Sequence, residues 1–287
     1  MSDIKRVMAY VHGSAWAIDE EKMTLILGVL DRRAQGIELS AVEVAAVKRD
    51  QPKHQNFGAI GVLPMFGTIF PRAGMVSEIS GGVSLDSFRA NLSAMVSDPA
   101  ISAIILHVDS PGGAVAGVTE AFGAVMVARQ KKRIIAVADG IMASAAYWIA
   151  SAAHEIVASP SALVGSIGVL AIHTDMSESD SKAGVKTTIT KAGKYKGEGI
   201  GPLTGEAIAA QQSLVDEVYG VFVGDVARGR GTTTDVVANG YGEGRVLSAK
   251  NAAKARMVDR VATLDDTIKR IGAEIAKNAK YKQLFGV

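Results

Sequence analysis

The stretch Ala138-Asp139-Gly140-Ile141-Met142-Ala143-Ser144-Ala145-Ala146-Tyr147-Trp148 decides the fold. Ile134 to Ala138 is a short continuous apolar run and reads as a strand. From Ala145 onward the residues are apolar and begin with good helix formers, so a helix is expected. A tight connection joins the two and carries a hydroxyl at the joint. Ser144 there lies beside the first free amides of a helix, whose dipole favours negative charge. It is either an ordinary N-cap serine or a nucleophile whose reaction makes an oxyanion.

Outward from this joint the pattern is α/β. Strands are predicted at residues 58–63, 101–108, 133–138, 155–158, 167–172 and 186–190. Helices are predicted at 85–96 with Ser84 as cap, 114–129, 144–152 and 177–183. Strands alternating with helices imply a sheet with helices packed on it. A long amphipathic helix is expected over 205–228, with Leu214, Val218, Phe222 and Val226 on one face. Helices at 248–255 and 264–277 close the chain, and 281–287 is expected to fray. Residues 1–56 read as a small helical appendage with a polar linker at 48–56, ahead of a main domain at 57–287. The appendage holds a helix over 20–35, with Met23, Ile26, Leu27 and Leu30 at helical spacing, and a shorter helix at 40–48. The glycine-bearing stretch 70–83 is expected to be flexible.

Composition narrows the function classes. The 287 residues are 48% hydrophobic and 21% charged, a globular balance. A net charge of +2 gives no nucleic-acid footprint. With no cysteine, thiol catalysis, disulfides and Cys-based zinc sites are excluded. His12, His54, His107 and His154 show no metal spacing, so no metal site is expected. No apolar run reaches the ~18 residues of a membrane span. Residues 7–18 follow Lys5-Arg6 and imitate a signal peptide, with Ala15-Trp16-Ala17 as a cleavage lookalike. His12, Gly13 and Ser14 interrupt the apolar core, so a cytoplasmic protein is expected.

Three further segments bear on Ser144. Ser110-Pro111-Gly112-Gly113 ends a strand in a turn whose glycines let backbone amides approach a ligand. Gly165-Ser166-Ile167-Gly168-Val169 lets the chain pass close beside a site. Gly193-Lys194-Tyr195-Lys196 offers lysines, which act as bases only where burial favours the neutral form. Taken singly, each has a bland reading: a turn, a strand start, a solvated charge.

In this order and spacing, with the Ala-Ser-Ala-Ala-Tyr run around Ser144, the four segments resemble the SppA/protein C family of serine peptidases. The resemblance covers about residues 57–268. In the tail, Gly244-Arg245-Val246-Leu247-Ser248 and Met257-Val258-Asp259 are similar to two further family segments. Ser14-Ala15-Trp16-Ala17-Ile18 looks more like the phage and prophage branch than the membrane-bound one.

The resemblance implies a ClpP/crotonase-like spiral of β-β-α units. It implies a serine endopeptidase with Ser144 as nucleophile and Lys196 as general base, and it implies no cofactor. The amides of Gly113 and Ala145 would form the oxyanion hole, and Gly112, Met142 and Tyr147 would contribute to substrate binding. The implied substrate is a peptide or protein. Implied partners are further copies of the chain and, in the phage branch, capsid scaffold or portal proteins, with action in a host cytoplasm or prohead. Where the family has Gly-Gly after the serine, this chain has Ala145-Ala146, whose methyls would narrow the pocket. Competing expectations are a Ser–His–Asp peptidase using His173 and Asp175, an acyl-CoA enzyme with an amide-lined oxyanion hole, and a non-catalytic capsid-assembly protein.

Overall fold

A computed structural model describes residues 7, 8, 10–37, 52, 54–72 and 82–285. The expected helix at 40–48, most of the linker and most of the 70–83 stretch lie outside these residues.

The main sheet is built on three long parallel strands. They are β3 (Ile60–Phe66), β6 (Ala103–Ser110) and β8 (Arg133–Ala143). β2 (Gln55–Phe57) extends it at one side. β8 runs on five residues past its predicted end because its two halves have different partners. Residues Ile135 to Ala138 pair with β9 (Glu155–Ala158), and Ile141 to Ala143 pair with β10 (Leu163–Gly165). The sheet thus splits along β8, with β12 (Val246–Ser248) on β10 and β13 (Arg260–Val261) on β9.

Alternation along these strands supplies two cores. Ile104, Leu106, Val108, Ile134, Ala136 and Ala138 face a main core. It is closed by α2 (Leu85–Ser97), α3 (Val118–Ala128) and α4 (Ala145–Ala150). Their neighbours Ala103, Ile105, Ile135 and Val137 face the opposite layer, against Ile271 of the last helix. Burial on both faces is what a parallel sheet requires, at roughly 1.5–3 kcal/mol per large apolar side chain. Ser84 caps α2 as expected, accepting from the Ser87 amide at 3.4 Å.

A second, five-stranded sheet crosses the site. Its order is β11 (Leu170–Ala171), β1 (Ala15–Ile18), β7 (Gly112–Ala114), β4 (Ile69–Phe70) and β5 (Val83–Ser84). The N-terminal segment therefore contributes an internal strand as well as a helix, α1 (Glu20–Ala34). Trp16, Ile18, Met23, Ile26 and Leu30 pack with Phe70 and Ala114 in a third cluster.

Several expected boundaries are corrected. The helix expected from residue 114 begins at Val118, because Gly112–Ala114 is drawn into the second sheet and Gly117 turns the chain at φ 86°. The strand expected over 167–172 shrinks to β11, the length that meets β1. Residues 186–190 form no strand; they are exposed and find no partner edge. Between them lies the short helix α5 (Ser177–Lys182). The long helix α6 (Gly205–Arg230) forms as expected, but apart from Ala207 its buried residues all lie in its second half. Phe222 and Val226 are covered while Leu214 is 53% exposed. After α7 (Thr234–Gly240) and α8 (Ala249–Lys254), α9 (Leu264–Phe285) continues through the stretch expected to fray.

Candidate active site

Ser144 follows the last residue of β8 and precedes the first of α4, with φ 54° and ψ −119°. That conformation is sparsely populated for a side-chain-bearing residue and costs on the order of 1–3 kcal/mol. The surroundings enforce it. The Ser144 amide donates to the Gly165 carbonyl at 2.7 Å, and the Ser144 carbonyl accepts from Trp148 at 2.9 Å, the first turn of α4. A sharp strand-to-helix turn of this kind projects a serine hydroxyl out of the backbone path. Its Oγ donates to the Gly168 carbonyl at 3.4 Å, a weak contact that leaves the hydroxyl available. Ser144 is nevertheless fully buried in the single chain.

The other motifs converge here. Gly112 has φ 95°, and a Cβ at that position would stand 2.9 Å from Ser144 Cβ. The Gly112 amide donates to Ser110 Oγ at 3.2 Å, and Ser110 Oγ donates to the Gly67 carbonyl at 2.7 Å, which fixes the turn. Gly113 lies in β7 beside it. Ala145 begins α4, and its amide precedes the first intrahelical bond, from Trp148 to the Ser144 carbonyl. Ser166, at φ 53°, is held by its amide on the Arg245 carbonyl at 2.9 Å, which ties the tail segment to the loop passing Ser144.

Met142 is fully buried in the main core directly beneath the turn. Tyr147 is also fully buried; its hydroxyl donates to the Met257 carbonyl at 2.9 Å and its ring meets Tyr241 edge-on. Burial pushes its phenol well above the ordinary tyrosine range, so it stays neutral and committed to the core. Lys196 is not brought to Ser144. Its side chain is exposed in a run of turns, and among the described residues it makes no hydrogen bond with the serine. His173 of the competing triad has its Nε2 buried without a partner, while Asp175 accepts from the Ser177 amide instead.

One participant was missed. β1 lies between β7 and β11, against the glycines of the site. In sequence the segment reads as a leader-cleavage lookalike and as a phage-branch resemblance, and neither reading signals a strand beside Ser144.

Comparison with known protein families gives a match over about half of the chain. The model for "Peptidase family S49" matches residues 127–279. The chain belongs to peptidase family S49. Among its relatives, Capsid assembly protease C of Escherichia phage lambda is 30% identical over 77% of this chain and 50% of its own. Head-tail preconnector protein GP5 of Enterobacteria phage P21 is 27% identical over 83% and 47%. Protease 4 of Salmonella typhi is 30% identical over 72% and 33%. The chain thus spans about half the length, or less, of these curated relatives. Among solved structures, a mutant ClpP1 from Listeria monocytogenes aligns with TM-score 0.44 and 15% identity, over 72% of this chain and 94% of that one. No helix among the described residues is long and apolar enough to cross a membrane.

Proposed function

We propose that this protein is a serine endopeptidase in which Ser144 attacks the substrate carbonyl and Lys196 serves as base. The amides of Gly113 and Ala145 would hold the oxyanion. The observation that carries the reading is the strained Ser144 turn at the head of α4, in a chain of a peptidase family. Lys196 would take the Ser144 proton and pass it to the leaving amine; water would then hydrolyse the ester. No step calls for a metal or cofactor.

The exposure of Lys196 supports a base supplied between copies. A lysine works as a base only where burial favours its neutral form. Val185, Ile189, Tyr195, Ile200, Ile208 and Leu214, on either side of it in sequence, are all large, apolar and exposed. A neighbouring copy covering this face would bury them and carry Lys196 into a second molecule's site, so we read the working form as a homo-oligomer. The names of the phage relatives support a role in head assembly, with scaffold or portal proteins as substrates, in a prohead or host cytoplasm. Ser144→Ala and Lys196→Ala test the reading. Each should abolish casein hydrolysis, and Ser144→Ala should also abolish fluorophosphonate labelling. Labelling that survives Ser144→Ala would overturn it.

A further inference from the structure

The segment Ala15–Ile18 occupies the position that an extended substrate would need. It runs antiparallel to β7, with Trp16 opposite Ala114, Ala17 opposite Gly113 and Ile18 opposite Gly112. On its other edge, Ala15 and Trp16 pair with Ala171 and Leu170 of β11. Two flanking bonds fix the phase of the ladder. The Val115 amide donates to the Ala15 carbonyl at 3.1 Å, and the Asp19 amide donates to the Pro111 carbonyl at 2.7 Å. Hydrogen-bonded pairs alternate along an antiparallel ladder, so Ala17 and Gly113 form the pair between them, with the Gly113 amide facing the Ala17 carbonyl.

That carbonyl is also a neighbour of the serine. The point where a Cβ of Gly112 would stand is 2.2 Å from the Ala17 oxygen and 2.9 Å from Ser144 Cβ. An amide of the proposed oxyanion hole, the nucleophile and a peptide carbonyl are thus assembled from one chain. Side chains alternate across the segment. Ala17 is fully buried in the main core, whereas Trp16 and Ile18 go to the N-terminal cluster. The Trp16 indole donates to the Val11 carbonyl at 2.9 Å, and its ring meets Phe70 and Tyr10 edge-on.

We propose that the slot between β7 and β11 is the peptide-acceptor groove and that Ala15–Ile18 fills it as a tethered substrate mimic. The proposal rests on the serine-peptidase reading for its consequence, though not for its geometry. Recognition is by strand addition, with backbone bonds on both edges and side-chain pockets alternating beneath and above. The groove takes an extended peptide with a small residue in the Ala17 position flanked by large apolar ones, and such a peptide must displace β1 to reach Ser144. The protein is latent while β1 is seated.

The test uses the full chain carrying Ser144→Ala and a fluorescein-labelled peptide of sequence Ser-Ala-Trp-Ala-Ile-Asp, with binding followed by anisotropy. Ala17→Asp, which places a charge in the buried slot, should unseat β1 and tighten peptide binding at least tenfold. Because the chain has no cysteine, Ala15→Cys combined with Ala171→Cys gives a clean redox clasp across β1 and β11. Oxidation should abolish peptide binding and reduction should restore it. Should Ala17→Asp lose its folded circular-dichroism spectrum, the milder Trp16→Ala takes its place. Equal affinity in unseated, parental and clasped forms overturns the proposal. Fluorophosphonate labelling of the chain with Ser144 intact reports separately on the nucleophile. Gated binding without labelling refutes the serine chemistry and leaves the groove standing; labelling with ungated binding does the reverse.

Discussion

Gly112 and Ser144 are packed so closely that no side chain fits between them: a Cβ on Gly112 would lie 2.9 Å from Ser144 Cβ and 3.0 Å from the Ala143 carbonyl. The same atom would intrude to 2.2 Å from the Ala17 carbonyl, and the backbone there is at φ 95°. Gly112→Ala therefore strains one residue and pushes apart three segments.

The expected result for Gly112→Ala is a loss of stability of at least about 1–3 kcal/mol from the backbone alone, with Ser144 labelling slowed a hundredfold or more. Gly123→Ala is the matched control. Gly123 lies inside α3 with nothing within 4 Å of its would-be Cβ, so alanine should stabilise by about 0.5–1 kcal/mol. Denaturant titration of the two variants, read beside labelling rates, checks both signs.

Lys196→Ala should leave the melting temperature unchanged, since the side chain is exposed and bonded to nothing in the described chain. Peptide hydrolysis should fall by about 10² to 10⁴. If the base comes from a neighbour, mixing the Ser144→Ala and Lys196→Ala proteins under conditions that allow subunits to exchange should regain part of the activity, because some sites then receive an intact serine and an intact lysine. A mixture as inactive as its components would place the pair within one chain.

Much of this was legible in sequence because it rests on local pattern. The alternate facing of Ile104, Leu106 and Val108 against Ala103 and Ile105 needs only a buried strand, and the turn at Ser144 needs only a strand meeting a helix. The second sheet was not legible. Gly112-Gly113-Ala114 has no side-chain period, and its pairing comes from Ala15–Ile18 and Ile69, some 100 and 40 residues away in the chain. The β-branched run at 187–190 shows the converse: propensity without a partner edge makes no strand. Lys196 is the limiting case, since an exposed lysine in a run of turns carries no signal of what it will meet.

The seating of β1 should depend on pH through His12. Burial holds the His12 ring below its ordinary range, and the nearby His173 lowers it further, partly offset by a hydrogen bond with the Ile172 backbone. Thr174 Oγ1 lies 3.5 Å from Nδ1. A folded-state pKa depressed below the unfolded value of about 6.5 means that the unfolded segment binds the proton more tightly. The stabilisation is therefore complete above pH 6.5 and is lost as pH falls through the folded value. Trp16 fluorescence and amide exchange at Ala17 should report loosening between pH 7.5 and pH 5, and His12→Gln should flatten the response.

Trp148 anchors the helix that Ser144 heads. Its ring stacks on Phe222 at 4.4 Å between centroids, and its Nε1 donates to Asp225 at 2.9 Å. Arg228 pairs with the same carboxylate at 2.8 Å but from an exposed position, where screening weakens it. Asp225 is buried, so removing the indole donor leaves a carboxylate short of a partner in a poorly solvated site. Trp148→Phe preserves most of the stacking and should still cost about 1–3 kcal/mol from that unmet acceptor. Trp148→Ala should cost about 3–5 kcal/mol through the added cavity. Asp225→Asn offers a test of cause, because its amide oxygen keeps an acceptor while the charge is gone. If the cost of Trp148→Phe comes from the stranded charge, it should shrink when measured on the Asp225→Asn background. Since the Trp148 amide closes the first turn on the Ser144 carbonyl, the same variants should slow Ser144 labelling at temperatures well below their unfolding, in proportion to how far α4 is freed to shift.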